Sequence, residues 1–201
     1  MTEHQTDQGD HVAVIDVAGF VSDLKDHAIG HGFHVHDERH FVETYSLRQT
    51  WEVDLHPEEA CQGPIDLHLA LDIDPRALLG FEDAMASEED PEADPPDGFT
   101  FPLHFTWMLP PLPQPPDLLV LATEVAGIGG LSLPVEVAAI DTIPSVTDAP
   151  ERSLSIVARV NVSLAQVYLG EEVLCDTLDR CRDVSLYLLE HAAAWLGEDG
   201  F

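Results

Sequence analysis

Residues 65–73 keep a strict two-residue rhythm: Ile65, Leu67, Leu69, Leu71 and Ile73 are apolar, and Asp66, His68, Ala70 and Asp72 lie between them. Residues 99–107 repeat it, with Phe99, Phe101, Leu103, Phe105 and Trp107 set against Thr100, Pro102, His104 and Thr106. Successive side chains of a strand point to opposite faces, so this rhythm describes ribbons with one oily side and one wet side. Such strands belong to an antiparallel sheet covered on one face only. Residues 41–55 carry the same signal through Phe41, Tyr45, Leu47, Trp51, Val53 and Leu55. A chain built on these runs must find something else to bury the oily face.

Two segments offer themselves. Val14, Val17, Ala18, Val21, Leu24 and Ala28 trace the stripe of an amphipathic helix over about 11–29, with Asp10 as its cap and Gly30 or Gly32 as its stop. At the other end, Leu174, Leu178, Cys181, Ser185, Leu188, Ala192 and Trp195 trace one face of a helix over about 171–196, closed by Gly197. Between them, a short strand at 33–36 is expected to pair with 41–55 through a turn at Asp37-Glu38-Arg39-His40. Further strands are expected at about 118–125, 131–140 and 153–165, the last burying Leu154, Ile156, Ala158, Val160, Val162 and Leu164. Pro102 and Pro134 point to edges or bulges.

The expected fold class is therefore α+β: one curved, mostly antiparallel sheet of about six or seven strands. An N-terminal helix and a long C-terminal helix pack on its apolar face. Residues 1–10 read as a flexible N-terminus and 11–197 as a single domain. Inside it, the acidic, proline-containing run 88–98 reads as a mobile loop. Residues 110–116 (Pro-Pro-Leu-Pro-Gln-Pro-Pro) favour a stiff extended connection between two strands. Gly127-Ile128-Gly129-Gly130 falls short of a dinucleotide fingerprint and reads as a turn between strands.

Charge decides which partners are admissible. Asp and Glu number 38 against 8 Lys and Arg, a formal net charge of -30 over 201 residues. Nucleic acid is excluded as an expected partner, because phosphate binding needs clustered cations. Anionic membrane surfaces fall to the same argument, and no apolar run approaches the roughly 18 residues of a spanning helix. A basic protein partner is allowed, with the field of the whole chain steering the encounter. Apolar residues make up 45% of the chain, enough for a packed core and against a disordered reading. Cys61, Cys175 and Cys181 lack paired spacing and read as reduced thiols of a cytoplasmic protein.

Histidine is the unusual residue. His27, His31, His34, His36, His40 and His56 crowd one stretch. His27 and His31 suit the end of the first helix, where imidazole complements the dipole. His34 and His36 stand at i and i+2 on one face of a strand, and two such imidazoles can reach one metal ion. Period-two reasoning turns His68 and His104 toward water as well, beside Asp54, Asp66 and Asp72. The candidate metal ligands are accordingly His34, His36, His68 and His104. The run from His34 to His40 is similar to the metallo-β-lactamase pattern His-x-His-x-Asp-His, but Asp37 falls one position early and His40 one late. His34, His36 and Glu43 resemble the first half of a cupin motif whose second half is missing. Neither resemblance carries a function here.

No catalytic residue and no cofactor site is legible: a nucleophile elbow is missing, and carboxylate pairs arise by chance in so acidic a chain. Binding is expected ahead of catalysis. The first expectation is a non-enzymatic interaction protein of adaptor, chaperone or inhibitor type, coarsely similar to small acidic secretion chaperones. The alternative is a small-molecule binder resembling helix-grip folds, with Trp51, Phe99, Phe101, Phe105 and Trp107 around an apolar cavity. The third is a metal-dependent hydrolase using the His/Asp sheet face.

Overall fold

Leu67, Leu69 and Leu71 meet the core and His68, Ala70 and Asp72 face outward in a strand whose neighbours on both sides obey the same phase. The computed structural model describes residues 15–61, 63–90, 92–143, 145, 147, 151–171 and 174–197. Its elements run α1 (Val17–Gly30), β1 (Phe33–Val42), β2 (Gln49–Pro57), a 3-10 turn (Glu58–Ala60), β3 (Asp66–Ile73), α2 (Pro75–Ser87), β4 (Thr100–Met108), α3 (Leu118–Gly129), β5 (Val135–Thr142), β6 (Glu151–Ser163), α4 (Leu164–Leu169) and α5 (Cys175–Leu196). Six strands form one open antiparallel sheet in the order β1-β2-β3-β4-β6-β5. The fold is α+β, with an N-terminal and a long C-terminal helix against the sheet.

The core lies between the sheet's inner face and the helices. Val53, Leu55, Leu67, Leu69, Leu71, Phe101, Leu103, Phe105, Trp107, Ile156 and Ala158 supply the sheet side. Val21, Leu24 and Ala28 of α1, Leu121 and Val125 of α3, and Leu178, Cys181, Val184, Leu188 and Ala192 of α5 supply the other. Each fully buried leucine here contributes about 1.5–3 kcal/mol from the hydrophobic effect. The whole predicted stripe of α5 is buried, and Gly197 caps the helix with φ +78°. In β6 the even positions Leu154, Ile156, Ala158 and Val162 are buried, with Val160 half-buried. Helix α1 starts at Val17, later than the expected 11; Asp16 caps it by accepting from the Gly19 N–H at 2.8 Å. The expected cap Asp10 lies outside the described residues.

Several expectations are corrected. Asp37–His40 is not a turn but the middle of β1, and the hairpin reverses at residues 43–48. There the Glu43 and Arg48 backbones pair, and Leu47 takes φ +57°. Tyr45 and Leu47 are consequently exposed at the tip rather than buried. Alternation that runs on through a turn cannot reveal the turn.

Residues 118–125 are helical, not a strand. Asp117 accepts from the Leu119 and Val120 N–H groups, capping α3, and Leu121, Val125 and Gly129 recur every four residues on its buried side. Gly127–Gly130 is the end of this helix, with Gly130 at φ +62°, rather than a turn between strands. The proline-rich segment joins β4 to α3 instead of joining two strands. It is tied to its own chain through Leu112 N–H to Arg152 O and Gln114 N–H to Trp195 O.

Helix α2 buries only Phe81 fully, with Ala77, Leu78 and Met85 half-buried against the core beside it. Its start was nonetheless written in Asp74-Pro75, a capping carboxylate followed by proline in the first turn. Pro102 occupies a central strand, one residue beyond the β3 ladder, which stops at Leu71 opposite Leu103. Its missing N–H therefore breaks no bond to β3.

Candidate functional sites

Among the described residues, the bulge in β1 brings together the group of side chains best placed to share an ion. His34 sits directly opposite His56, and Val35 opposite Leu55. His36 is then the extra residue, for the next pair is Asp37 with Asp54. A bulge re-aims the side chain it inserts. Here it sends His36 Nε2 to within 3.0 Å of His56 Nε2, with the rings stacked at 4.1 Å between centroids.

After Pro57 the 3-10 turn folds the chain back over this spot. Glu58 N–H bonds Gly32 O, and Glu59 pairs with Arg182 of α5, which anchors the turn. Cys61 follows, its sulfur 3.0 Å from His34 Nδ1 and 3.2 Å from His56 Nε2. Glu58 approaches the other nitrogen of His34 at 3.7 Å. Burial, then the neighbouring His36, holds the His56 imidazole below its usual pKa, against the pull of Asp66. Among the described residues, His34, His36 and His56 form the group whose ligating atoms converge closely enough to share an ion.

The strand register puts His34, His36, His68, His104, Asp54, Asp66 and Asp72 on the same outer face. It does not gather them. His68 Nδ1 bonds Asp54 at 2.6 Å, and Asp54 also takes the Arg39 guanidinium that binds Glu52 and Asp37. His104 stands two strands away from β2, between Ala70 and Arg159, and Asp72 pairs with Arg48. His68 and His104 thus belong to the polar weave of the sheet, apart from the His34–His36 pair. His56 and Cys61 were not legible as partners of that pair. The crowding of histidines included His56, but its register opposite His34 depends on a hairpin turn the alternation conceals.

A second feature lies between α1 and α4. Asp16, Gly19, Phe20, Asp23, Asp26 and His27 run down one side of α1. Val167, Tyr168, Gly170, Glu171 and Leu174 face them. Two adjoining recesses of about 500 and 320 Å³ share Phe20, Asp23 and Val167, and so make one groove. From Asp16 to His27 it follows about 16 Å of helix. Its floor is apolar and its rim carries Asp16, Asp23, Asp26 and Glu171, with no Lys or Arg in the lining. Most of the chain's cations are already engaged with its own carboxylates: Lys25 with Glu38, Arg39 with Asp54, Arg48 with Asp72, Arg152 with Asp141 and Arg182 with Glu59.

The aromatic residues expected around a cavity are packed into the core. Phe101, Phe105 and Trp107 are all but fully buried, and Trp51 and Phe99 lean against the same cluster. Among the described residues, no helix is long and apolar enough to cross a membrane. Comparison with protein-family models, with curated proteins and with solved structures found no match to this chain.

Proposed function

We propose that this chain is a non-enzymatic binding protein whose partner presents a cationic, amphipathic segment to the groove along α1. The observation that carries this reading is the lining itself: an apolar floor of Phe20, Leu24, Val167 and Leu174 under four carboxylates and no Lys or Arg. Apolar side chains of the partner fill the floor, and its Lys or Arg side chains meet Asp16, Asp23, Asp26 and Glu171. Complementary charge of this kind speeds encounter and fixes orientation, while desolvated apolar contact slows release. The net charge of -30 extends the attraction beyond contact distance. The free thiols of Cys61 and Cys181 accord with a cytoplasmic setting for this encounter.

Fluorescence anisotropy with a labelled Leu/Lys amphipathic peptide tests the reading. A Lys/Ser peptide of equal charge should bind at least about tenfold more weakly, roughly 1.4 kcal/mol. Asp23→Asn with Asp26→Asn should weaken the Leu/Lys peptide comparably. Asp83→Asn with Glu136→Gln removes the same charge from exposed positions elsewhere and should change little. Equal loss in both pairs, or equal binding of both peptides, would mean that only the diffuse field attracts, and the groove reading would fail.

A further inference from the structure

We propose that His34, His36, His56 and Cys61 form a binding site for one divalent transition-metal ion of the zinc type. Ring nitrogens of His34, His36 and His56 converge at one spot of the surface, and the Cys61 sulfur touches two of these rings, His34 and His56. Ligands around a tetrahedral zinc ion, with Zn–N near 2.0 Å and Zn–S near 2.3 Å, lie about 3.3–3.6 Å from one another. The contacts here are 3.0 Å for His36 to His56, 3.0 Å for His34 to Cys61 and 3.2 Å for His56 to Cys61. Each of these three contacts matches that geometry after opening by a few tenths of an ångström, and the sulfur closes toward His36 to complete the set.

The chemistry of the set selects the metal class. Imidazole and thiolate are borderline-to-soft donors, which disfavour Mg and Ca and suit Zn, Co, Ni or Cu. Three neutral imidazoles and one thiolate leave a divalent ion with one net positive charge, which the acidic surroundings accept. Glu58 faces the Nε2 side of His34 while Nδ1 faces Cys61. A carboxylate behind a ligating imidazole fixes its tautomer and strengthens it as a donor.

The backbone is arranged for the same purpose. The β1 bulge supplies His36, the direct cross-strand pairing supplies His34 with His56, and the 3-10 turn carries Cys61 back over them. Four protein ligands close the coordination sphere, the mark of a structural or carrier site rather than one that activates water. Bound metal would pin the β1–β2 hairpin to the segment that follows it. This inference is independent of the α1 groove.

Cobalt(II) added to the full-length, untagged, metal-stripped protein is the test, followed by zinc(II) displacement. One equivalent of cobalt should give intense tetrahedral d–d bands and a thiolate-to-cobalt charge-transfer band, and one equivalent of zinc should remove both. Cys61→Ser should abolish the charge-transfer band, and His56→Gln or His36→Ala should weaken cobalt binding by at least about tenfold. His68→Ala and His104→Ala should leave the spectrum and affinity unchanged. A wild-type protein without the charge-transfer band overturns the proposal, whatever the variants do. So does a band that survives Cys61→Ser, since the sulfur would then come from Cys175 or Cys181.

Discussion

The indole N–H of Trp107, on β4, donates to the hydroxyl of Ser185, on α5, at 2.8 Å within the core. Ser185 in turn donates to the Cys181 carbonyl one turn earlier in the same helix, also at 2.8 Å. Trp107 is 1% and Ser185 2% exposed, so no water replaces either partner. The link ties the long helix to the sheet within the apolar contact they share.

Ser185→Ala should therefore do more than remove a hydroxyl. It strands a buried donor, and an unsatisfied buried polar group costs about 1–3 kcal/mol. Chemical denaturation followed by tryptophan fluorescence should show that loss with an unchanged slope against denaturant. A change below a few tenths of a kcal/mol would show that the indole finds another partner.

Trp107 and Ser185 also mark how far the sequence could be read. Each lay on a predicted face, one on the apolar phase of 99–107 and one on the C-terminal stripe, because burial on one side imposes a period the residues must follow. Where an apolar face is short or only partly buried, the rhythm is weak. That is why α2, with Phe81 alone fully buried, goes unassigned from the sequence, and α3, a Leu-Leu-Val-Leu run open to either reading, reads there as a strand. The metal site was half legible. His34 and His36 are neighbours in sequence, but His56 and Cys61 join them only through a register shift and a one-turn reversal, and neither leaves a periodic trace.

The β1–β2 hairpin tip holds a second testable relationship. Leu47 adopts φ +57° with its side chain 62% exposed, so it bears left-handed strain without a packing return. The left-handed conformation costs an ordinary residue roughly 1–2 kcal/mol, and asparagine tolerates it better. Leu47→Asn should raise the unfolding midpoint, by up to about 1 kcal/mol in stability. A lower midpoint would show that Leu47 packs on the hairpin more than its exposure indicates.

Two of the cysteines, Cys61 and Cys181, should separate by reactivity. Cys61 is exposed, whereas Cys181 is fully buried, and burial pushes its thiol pKa well above the usual value. Alkylation needs the thiolate and access to it, and Cys181 has neither in the folded state. Brief treatment of native protein with iodoacetamide, read by peptide mass spectrometry, should label Cys61 and spare Cys181. Denaturant should bring Cys181 to the same labelling. Equal native labelling of the two would contradict the packing of α5 against the sheet.

Tyr187 of α5 should make the protein sensitive to alkali. Its phenol donates to Glu124 of α3, and burial, followed by that bond, pushes its pKa up to about 12. The folded state therefore keeps a proton that the unfolded chain loses near pH 10. Between those two values the folded form binds more protons, so stability falls as pH rises. The contribution is complete below pH 10 and is lost as pH rises to about 12. An absorbance titration at phenolate wavelengths should resolve one of the three tyrosines titrating near 12. Tyr187→Phe should delete that step and flatten the alkaline slope of stability measured by urea unfolding. A slope that persists unchanged in the variant would assign the alkaline loss to other groups and detach it from the α3–α5 contact.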